Sequence, residues 1–276
     1  MVFDINIQGR SEMTFKEIIY EKDEGIARVI INRPERLNSF TALTLEEIYD
    51  AFKDAWVDKQ IGVVVLTGAG DRAFCAGGDQ KTKDGEGYGK GAATFDLLDA
   101  HSQVINTIRA IPKPVIAAVN GYAIGGGHVL HVVCDLTIAS ETAKFGQAGP
   151  RVGSFDAGYG TVFLARLVGE KKAREIWYLC RQYSAQEALE MGLVNRVVPA
   201  DQLAAEVDAW CREMLQKSPY SLAYLKASFN ADTEHVNGIG VMAKHALDLY
   251  YKTEESHEGV QAFIEKRPPD FGKFRQ

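Results

Sequence analysis

The sequence predicts an α/β fold with parallel strand pairing, and three observations predict it. Strand-like and helix-like segments alternate twice in the first half, with short connections. Val63-Val64-Val65-Leu66 is a continuous apolar run of the kind that forms strands buried on both faces. At 276 residues, 46% hydrophobic and 25% charged, the chain has ordinary globular composition and the length to bury a full core.

Residues 15–31 alternate in polarity and read as a hairpin, with Asp23-Glu24-Gly25 at the turn and Ile26–Ile31 as the stronger strand. Thr44-Leu45-Glu46-Glu47 reads as a capping box opening a helix whose apolar face is Leu45, Ile48, Phe52 and Ala55. The Val63–Leu66 strand runs into Thr67-Gly68-Ala69-Gly70. A glycine-rich break follows at Gly85, Gly87, Gly89 and Gly91, flanked by Lys81, Lys83 and Lys90. It reads either as a solvated loop or as a phosphate contact.

A helix near 94–110 leads through Pro112-Lys113-Pro114 to a strand at Val115–Val119. Then come a turn over Gly121–Gly127, a helix from Gly126 to Cys134 and a strand at Leu136–Ala139. From about 158 the pattern becomes helical. Tyr159–Val168 is a helix, Ser184-Ala185-Gln186-Glu187 caps another, and Val194–Val198 is one short strand. Helices are expected over 201–217, 219–230, 235–250 and 254–266, with Pro219 at a helix start that tolerates proline. The expected division is therefore a core over 1–200 and a helical region over 201–276.

Composition excludes several classes. With 31 basic against 37 acidic residues, the net charge of −6 argues against a general nucleic-acid binder or a binder of anionic membranes. Cys75, Cys134, Cys180 and Cys211 have neither metal-ligand nor redox spacing. The opening MVFDINIQGR lacks a basic-then-apolar signal, so a cytoplasmic location is expected. Pro114–Cys134 carries no Asp, Glu, Lys or Arg, yet its four glycines, Asn120, His128 and His131 fit a buried strand, turn and helix better than a membrane span. His128 and His131 lie one turn apart without a third ligand at matching spacing, so no metal site is expected. His101, His235, His245 and His257 read as surface or packing residues, and Trp177 as core.

The chemistry concentrates in two glycine loops, each following a strand: Phe74-Cys75-Ala76-Gly77-Gly78-Asp79-Gln80 and Asn120–His128. Neither has the spacing of a nucleotide-binding loop. Glycine admits close backbone approach, and amides at a helix N-terminus attract negative charge. Two such loops are either tight turns or a pair of N–H donors aimed at one oxygen, an oxyanion hole. Downstream, Ser154 and Asp156 straddle one residue, so in extended backbone their side chains share a side. They could handle a proton together, or Asp156 could simply cap the helix starting at Tyr159.

Taken together, Asn32-Arg33-Pro34, the Ala73–Asp79 loop, Lys113-Pro114-Val115-Ile116-Ala117, the Gly121–Gly127 turn and Cys134-Asp135 resemble the crotonase (enoyl-CoA hydratase/isomerase) superfamily over nearly the whole chain. The resemblance implies a crotonase-type ββα spiral core, a C-terminal helical trimerisation region and acyl-CoA substrates. It also implies a homotrimer or dimer of trimers, with no tightly bound cofactor and coenzyme A entering as part of the substrate. By the same resemblance the amides of Gly78 and Gly126 hold the thioester oxygen. Ala76, Gly77, Asp79, Gln80, Tyr88, Tyr122, Gly125 and Lys266 would contact substrate and CoA.

The hydratase branch carries two catalytic glutamates, where this chain has Val129 and Gly149. The segment 149–160, with residues 177–183 and 249–253, is instead similar to the branch that holds 2-ketocyclohexanecarboxyl-CoA hydrolase and 1,4-dihydroxy-2-naphthoyl-CoA synthase. That likeness implies a catalytic set of Ser154, Asp156 and Tyr251, the tyrosine coming from a neighbouring subunit. The synthases have a threonine where this chain has Ala148, and arginines where it has Lys83 and Leu37. A bicarbonate bound there would lose a partner at Ala148, and lysine cannot reproduce arginine's bidentate fork. Opening of a cyclic β-ketoacyl-CoA by carbon–carbon hydrolysis is the expectation. Naphthoate synthesis and a non-catalytic CoA-binding scaffold are the alternatives.

Overall fold

The computed structural model describes residues 14–84, 87–156 and 158–275. The opening read for a leader, Gly85 of the glycine-rich break and Ala157 of the 149–160 segment lie outside the described residues.

Strands β1 (Ile18–Asp23) and β2 (Ile26–Ile31) form the expected antiparallel hairpin. It turns on Glu24 (φ 47°) and Gly25 (φ 83°), the paired positive φ angles a two-residue hairpin turn requires. Next come α1 (Ala42–Val57), β3 (Val63–Gly68) and β4 (Ala73–Cys75), then a miniature hairpin of β5 (Lys83–Asp84) and β6 (Gly87–Tyr88). Helix α2 (Leu97–Ala110) leads to β7 (Val115–Val119), β8 (Tyr122–Ile124), α3 (Gly126–Val133), β9 (Leu136–Ser140) and β10 (Lys144–Gly146). The remainder is α4 (Tyr159–Val168), α5 (Glu170–Leu179), β11 (Gln182–Ser184), α6 (Ala185–Glu190), β12 (Arg196–Val198), α7 (Leu203–Leu215), α8 (Pro219–Ala231), α9 (Val236–Tyr250) and α10 (Glu254–Glu265).

One sheet has the order β1-β2-β3-β7-β9-β12, and a second has β11-β10-β8-β4. Apart from the edge strands β1 and β11, the pairings in both sheets are parallel. The chain climbs as a spiral: β3 then β4, β7 then β8, β9 then β10, each turn placing one strand in each sheet. The apolar run is fully enclosed, since Val63, Val64 and Leu66 have no exposure, as a central parallel strand should. Leu45, Ile48, Phe52 and Ala55 line the buried face of α1.

Several expectations need correction. The capping box of α1 sits three residues earlier than predicted: Thr41 is the N-cap and pairs with Thr44. Glu47, expected in that box, accepts from the backbone N–H groups of Lys16 and Glu17 at 2.8 Å each, which ties down the chain ahead of β1. The turn after Val119 contains a strand, β8, that belongs to the second sheet. Helix α5 and strand β11 were not anticipated, and the strand expected at Val194–Val198 begins at Arg196. Lys83 is not on a solvated loop; it is buried. The uncharged stretch Pro114–Cys134 resolves into β7, β8 and α3, and among the described residues no helix is long and apolar enough to cross a membrane.

An ion pair with a buried lysine fastens the C-terminal helices to this core. Lys226 on α8 donates to Asp135 Oδ2 at 2.7 Å, and to the carbonyls of Ile108 at 2.7 Å and Lys113 at 3.0 Å. The same carboxylate accepts from the N–H of Val115 at the start of β7. Lys226→Met removes a buried donor and leaves the Ile108 and Lys113 carbonyls without it, while the Asp135 carboxylate can still reach solvent. A loss of about 2 kcal/mol in urea unfolding is therefore expected; an unchanged urea midpoint would contradict it.

Candidate active site

Asn38 organises the entry to the site. Its buried side chain donates to the carbonyls of Ala69 at 2.9 Å and Ala73 at 2.7 Å, and accepts from the N–H of Arg33 at 3.0 Å. This brings Phe40 alongside the first glycine loop, where Phe40 N–H donates to Gly77 O at 2.8 Å and Asp79 N–H donates to Phe40 O at 2.9 Å. In a parallel bridge of this kind the middle residue, Gly78, turns its own N–H away from Phe40. Arg33 pins the far side of the loop through Asp79 at 3.0 Å. Asp79, expected to contact substrate, is thus occupied in holding the loop, although it still borders the pocket.

The second loop meets the first. Gly77 has φ 87° and Gly125 has φ 58°, left-handed conformations that favour glycine. A Cβ on Gly77 would stand 3.0 Å from Ile124 O and 3.1 Å from Gly126 N, so the loops touch without side chains between them. Gly126 is the first residue of α3, and its N–H has no partner within the helix. Gly78 and Gly126 both line a cavity of about 790 Å³, a size suited to a small-molecule substrate.

Across that cavity lie the other expected groups. Ser154 Oγ and Tyr251 Oη are 2.9 Å apart. Asp156 accepts from the N–H of Gly158 at 2.9 Å and of Gly160 at 3.1 Å. The cap and the site are therefore one carboxylate, because Asp156 anchors the start of α4 and also lines the cavity. Gly160 makes room for it: a Cβ there would lie 2.6 Å from Asp156 Oδ2 and 2.8 Å from Val129 Cγ2. Burial raises the Asp156 carboxyl above the ordinary range, against the two N–H donors that lower it. Burial likewise raises the Tyr251 phenol well above its ordinary value.

The likeness implied that Tyr251 serves a neighbouring subunit; in the single chain described, it stands beside Ser154 of its own chain. Tyr251 reaches Ser154 of its own chain, because α9 folds back onto the start of α4. Glycines make this close approach: a Cβ on Gly158 would stand 3.0 Å from Gly240 Cα. Helix α10 then packs its Gly259 directly on Gly153.

Of the remaining expected contacts, Ala76, Gln80, Tyr88, Tyr122 and Gly125 line the cavity. Lys266 does not; it is the exposed C-cap of α10. His101, read as a surface or packing residue, lines the cavity, stacks on Phe40 at 5.5 Å and is held neutral by burial, its pKa pushed down to about 4. Its position four residues after Leu97 and seven before Ile108 places it on the apolar face of α2, a periodicity visible in the sequence. Trp177, read as core or, by likeness to the naphthoate branch, as lining a bicarbonate pocket, is buried and borders the cavity. Gln80 Oε1, His101 Nε2, Gln147 Oε1 and Trp177 Nε1 are buried without a hydrogen-bond partner among the described residues. Such groups are ordinarily satisfied by something, and all four residues face the same cavity. His128 and His131 meet edge to face at 4.7 Å. Among the described residues no cluster of His, Cys, Asp and Glu is placed to hold a metal ion.

Comparison with known proteins adds the following. A family model described as enoyl-CoA hydratase/isomerase matches residues 21–274. An enoyl-CoA hydratase from Mycobacterium avium subsp. paratuberculosis K-10 is 30% identical, with 94% of this chain and 99% of that chain covered at a TM-score of 0.83. A carnitinyl-CoA hydratase from Mycobacterium avium is 29% identical over 95% of this chain and 100% of its own, with a TM-score of 0.82. An enoyl-CoA hydratase/isomerase from Pseudoalteromonas atlantica T6c is 28% identical over 93% and 100%, also with a TM-score of 0.82.

Proposed function

The chain belongs to the enoyl-CoA hydratase/isomerase family, and from that premise we propose that it hydrolytically opens the ring of a cyclic β-ketoacyl-CoA, such as 2-ketocyclohexanecarboxyl-CoA. The observation that carries this reading is the cavity wall facing the two glycine loops. Where a hydratase of the family has its two glutamates, this wall has the side chain of Val129 and no side chain at Gly149, and it offers Ser154, Asp156 and Tyr251 instead. Water addition to a double bond would lack its acid and base here.

In this reading Asp156 takes a proton from water as its oxygen attacks the ring ketone. The bond between that carbon and the carbon next to the thioester breaks, and its electron pair moves into the thioester as an enolate. The N–H groups of Gly78 and Gly126 hold the enolate oxygen. Tyr251, hydrogen-bonded to Ser154, gives its proton to that carbon; the phenolate then regains the proton that Asp156 took, and the new carboxylic acid releases its own to solvent. The ketone carbon becomes a carboxylate, and the product is a dicarboxylic acid carrying one CoA, such as pimeloyl-CoA. Ala148 supplies no hydroxyl to hold a bicarbonate base, so turnover is expected to be independent of bicarbonate.

The test is turnover of 2-ketocyclohexanecarboxyl-CoA, 2-enoyl-CoA and succinylbenzoyl-CoA, each with and without bicarbonate. Ring opening alone supports the reading. Hydration of the enoyl thioester, or bicarbonate-dependent ring closure, would overturn it, and CoA binding without turnover would mark a scaffold.

The own-chain placement of Tyr251 gives a second expected result. Mixing Tyr251→Phe subunits with Ser154→Ala subunits should restore no activity, since every site then lacks one group. Restored turnover, with subunit exchange confirmed by mass spectrometry, would place the tyrosine in trans. A trimer or dimer of trimers built through residues 201–276 belongs to the same proposal. It is supported by the exposed Tyr220, Tyr224 and Phe229 of α8, and sedimentation equilibrium tests it.

A further inference from the structure

Lys83 takes no part in the reaction as described, yet it is buried directly behind the site. Its Nζ donates to Gly153 O at 3.1 Å and to Ser256 Oγ at 3.3 Å, and Ser256 in turn donates to the same carbonyl at 2.7 Å. The ammonium has three hydrogens, and its remaining side meets the face of the Tyr251 ring, 4.0 Å from the centroid. Tyr88 stands edge-on to that ring at 5.6 Å, and its own ring lies 5.6 Å from Nζ. No carboxylate pairs with Lys83 among the described residues. A buried cation with no carboxylate paired to it among the described residues is costly to keep. It becomes favourable when negative charge develops beside it.

Resting on the reading that Tyr251 carries the proton, we propose that Lys83 is a positioning residue for Tyr251: its ammonium holds the ring in place and stabilises the phenolate that forms when the proton leaves. Every other influence on that phenol works the opposite way, apart from the Ser154 hydrogen bond. Burial, Tyr88 on β6, Asp156 ahead of α4 and Asp248 on α9 itself all oppose its ionisation. A positive charge within ~4–6 Å favours the ionised form by about one to three pKa units. Burial also lowers Lys83 itself to about 8. The stabilising charge is thus present at neutral pH and is lost as pH rises through that value.

The experiment is a pH profile of kcat for the wild type, Lys83→Met and Lys83→Arg on the cyclic β-ketoacyl-CoA. The wild type should lose activity on an alkaline limb near pH 8. Lys83→Met should be about tenfold slower at neutral pH, the factor one pKa unit carries, with little change in KM and no such limb. Lys83→Arg, whose charge persists, should shift the limb upward. A Lys83→Met enzyme that keeps the wild-type limb, whatever its rate, would reduce Lys83 to a brace and overturn the proposal.

A second measurement needs no substrate. Fluorine NMR of tetrafluorotyrosine placed at position 251, whose phenol is acidic enough to ionise while Lys83 is still charged, should show its ionisation moving upward in Lys83→Met. No movement would overturn the proposal. If the wild type opens no ring, the functional reading fails while this titration still decides the role of Lys83.

Discussion

Asp156→Asn is expected to lower ring-opening turnover by about 10²–10⁴-fold, the range that a positioned proton acceptor contributes. Burial raises the Asp156 carboxyl, and only its ionised form can accept a proton. Wild-type activity should therefore fall as pH drops, with a midpoint above the ordinary carboxylate value, and the residual activity of the Asn variant should show no such limb. The substitution also sets an NH₂ against one of two N–H donors, from Gly158 and Gly160. A loss of about 1 kcal/mol in stability is expected from that alone. The two effects separate cleanly. A lower melting temperature with wild-type turnover would leave Asp156 as a helix anchor and remove it from the chemistry.

Gly78→Pro carries the other large effect. It deletes one of the two N–H donors proposed for the enolate oxygen, and losing such a donor typically costs about 10²–10³-fold in rate. Gly78→Ala is the control because it keeps the N–H while adding a Cβ that would lie 2.8 Å from the Tyr88 hydroxyl. The proline variant should be far slower than the alanine variant, with similar KM. A folded Gly78→Pro enzyme with wild-type kcat would dismiss the donor role.

The core was legible because its signals are local. Val63–Leu66 and the Leu45, Ile48, Phe52, Ala55 stripe announce a buried strand and a one-faced helix by periodicity alone, and both are buried as expected. The α1 cap was displaced because Thr41 and Thr44 are both competent caps, and the choice rests with Glu47, which is drawn away to the backbone of Lys16 and Glu17. Strand β8 is only three residues long inside a glycine turn, too short for alternation to show. Helix α5, opening Glu-Lys-Lys-Ala-Arg-Glu, buries only Ala173, Ile176 and Trp177, so its apolar stripe is thin.

In the site, Gly78, Gly126, Ser154, Asp156 and Tyr251 were all singled out, and one cavity gathers them. What the sequence could not carry was direction in space. Lys83 reads as one more loop cation until the Gly153 carbonyl and the Tyr251 ring are seen to enclose it. Whether Tyr251 serves its own chain depends on a contact between Gly158 and Gly240, residues too far apart in sequence for any local pattern to report.

That glycine-on-glycine docking of α9 also sets a sequence of events during synthesis. Both sheets, both glycine loops, Ser154 and Asp156 precede Tyr251 along the chain, so the ribosome releases them before it. In the proposed reading, a chain stopped before α9 therefore carries both glycine loops but lacks the phenol that would complete the proton pathway.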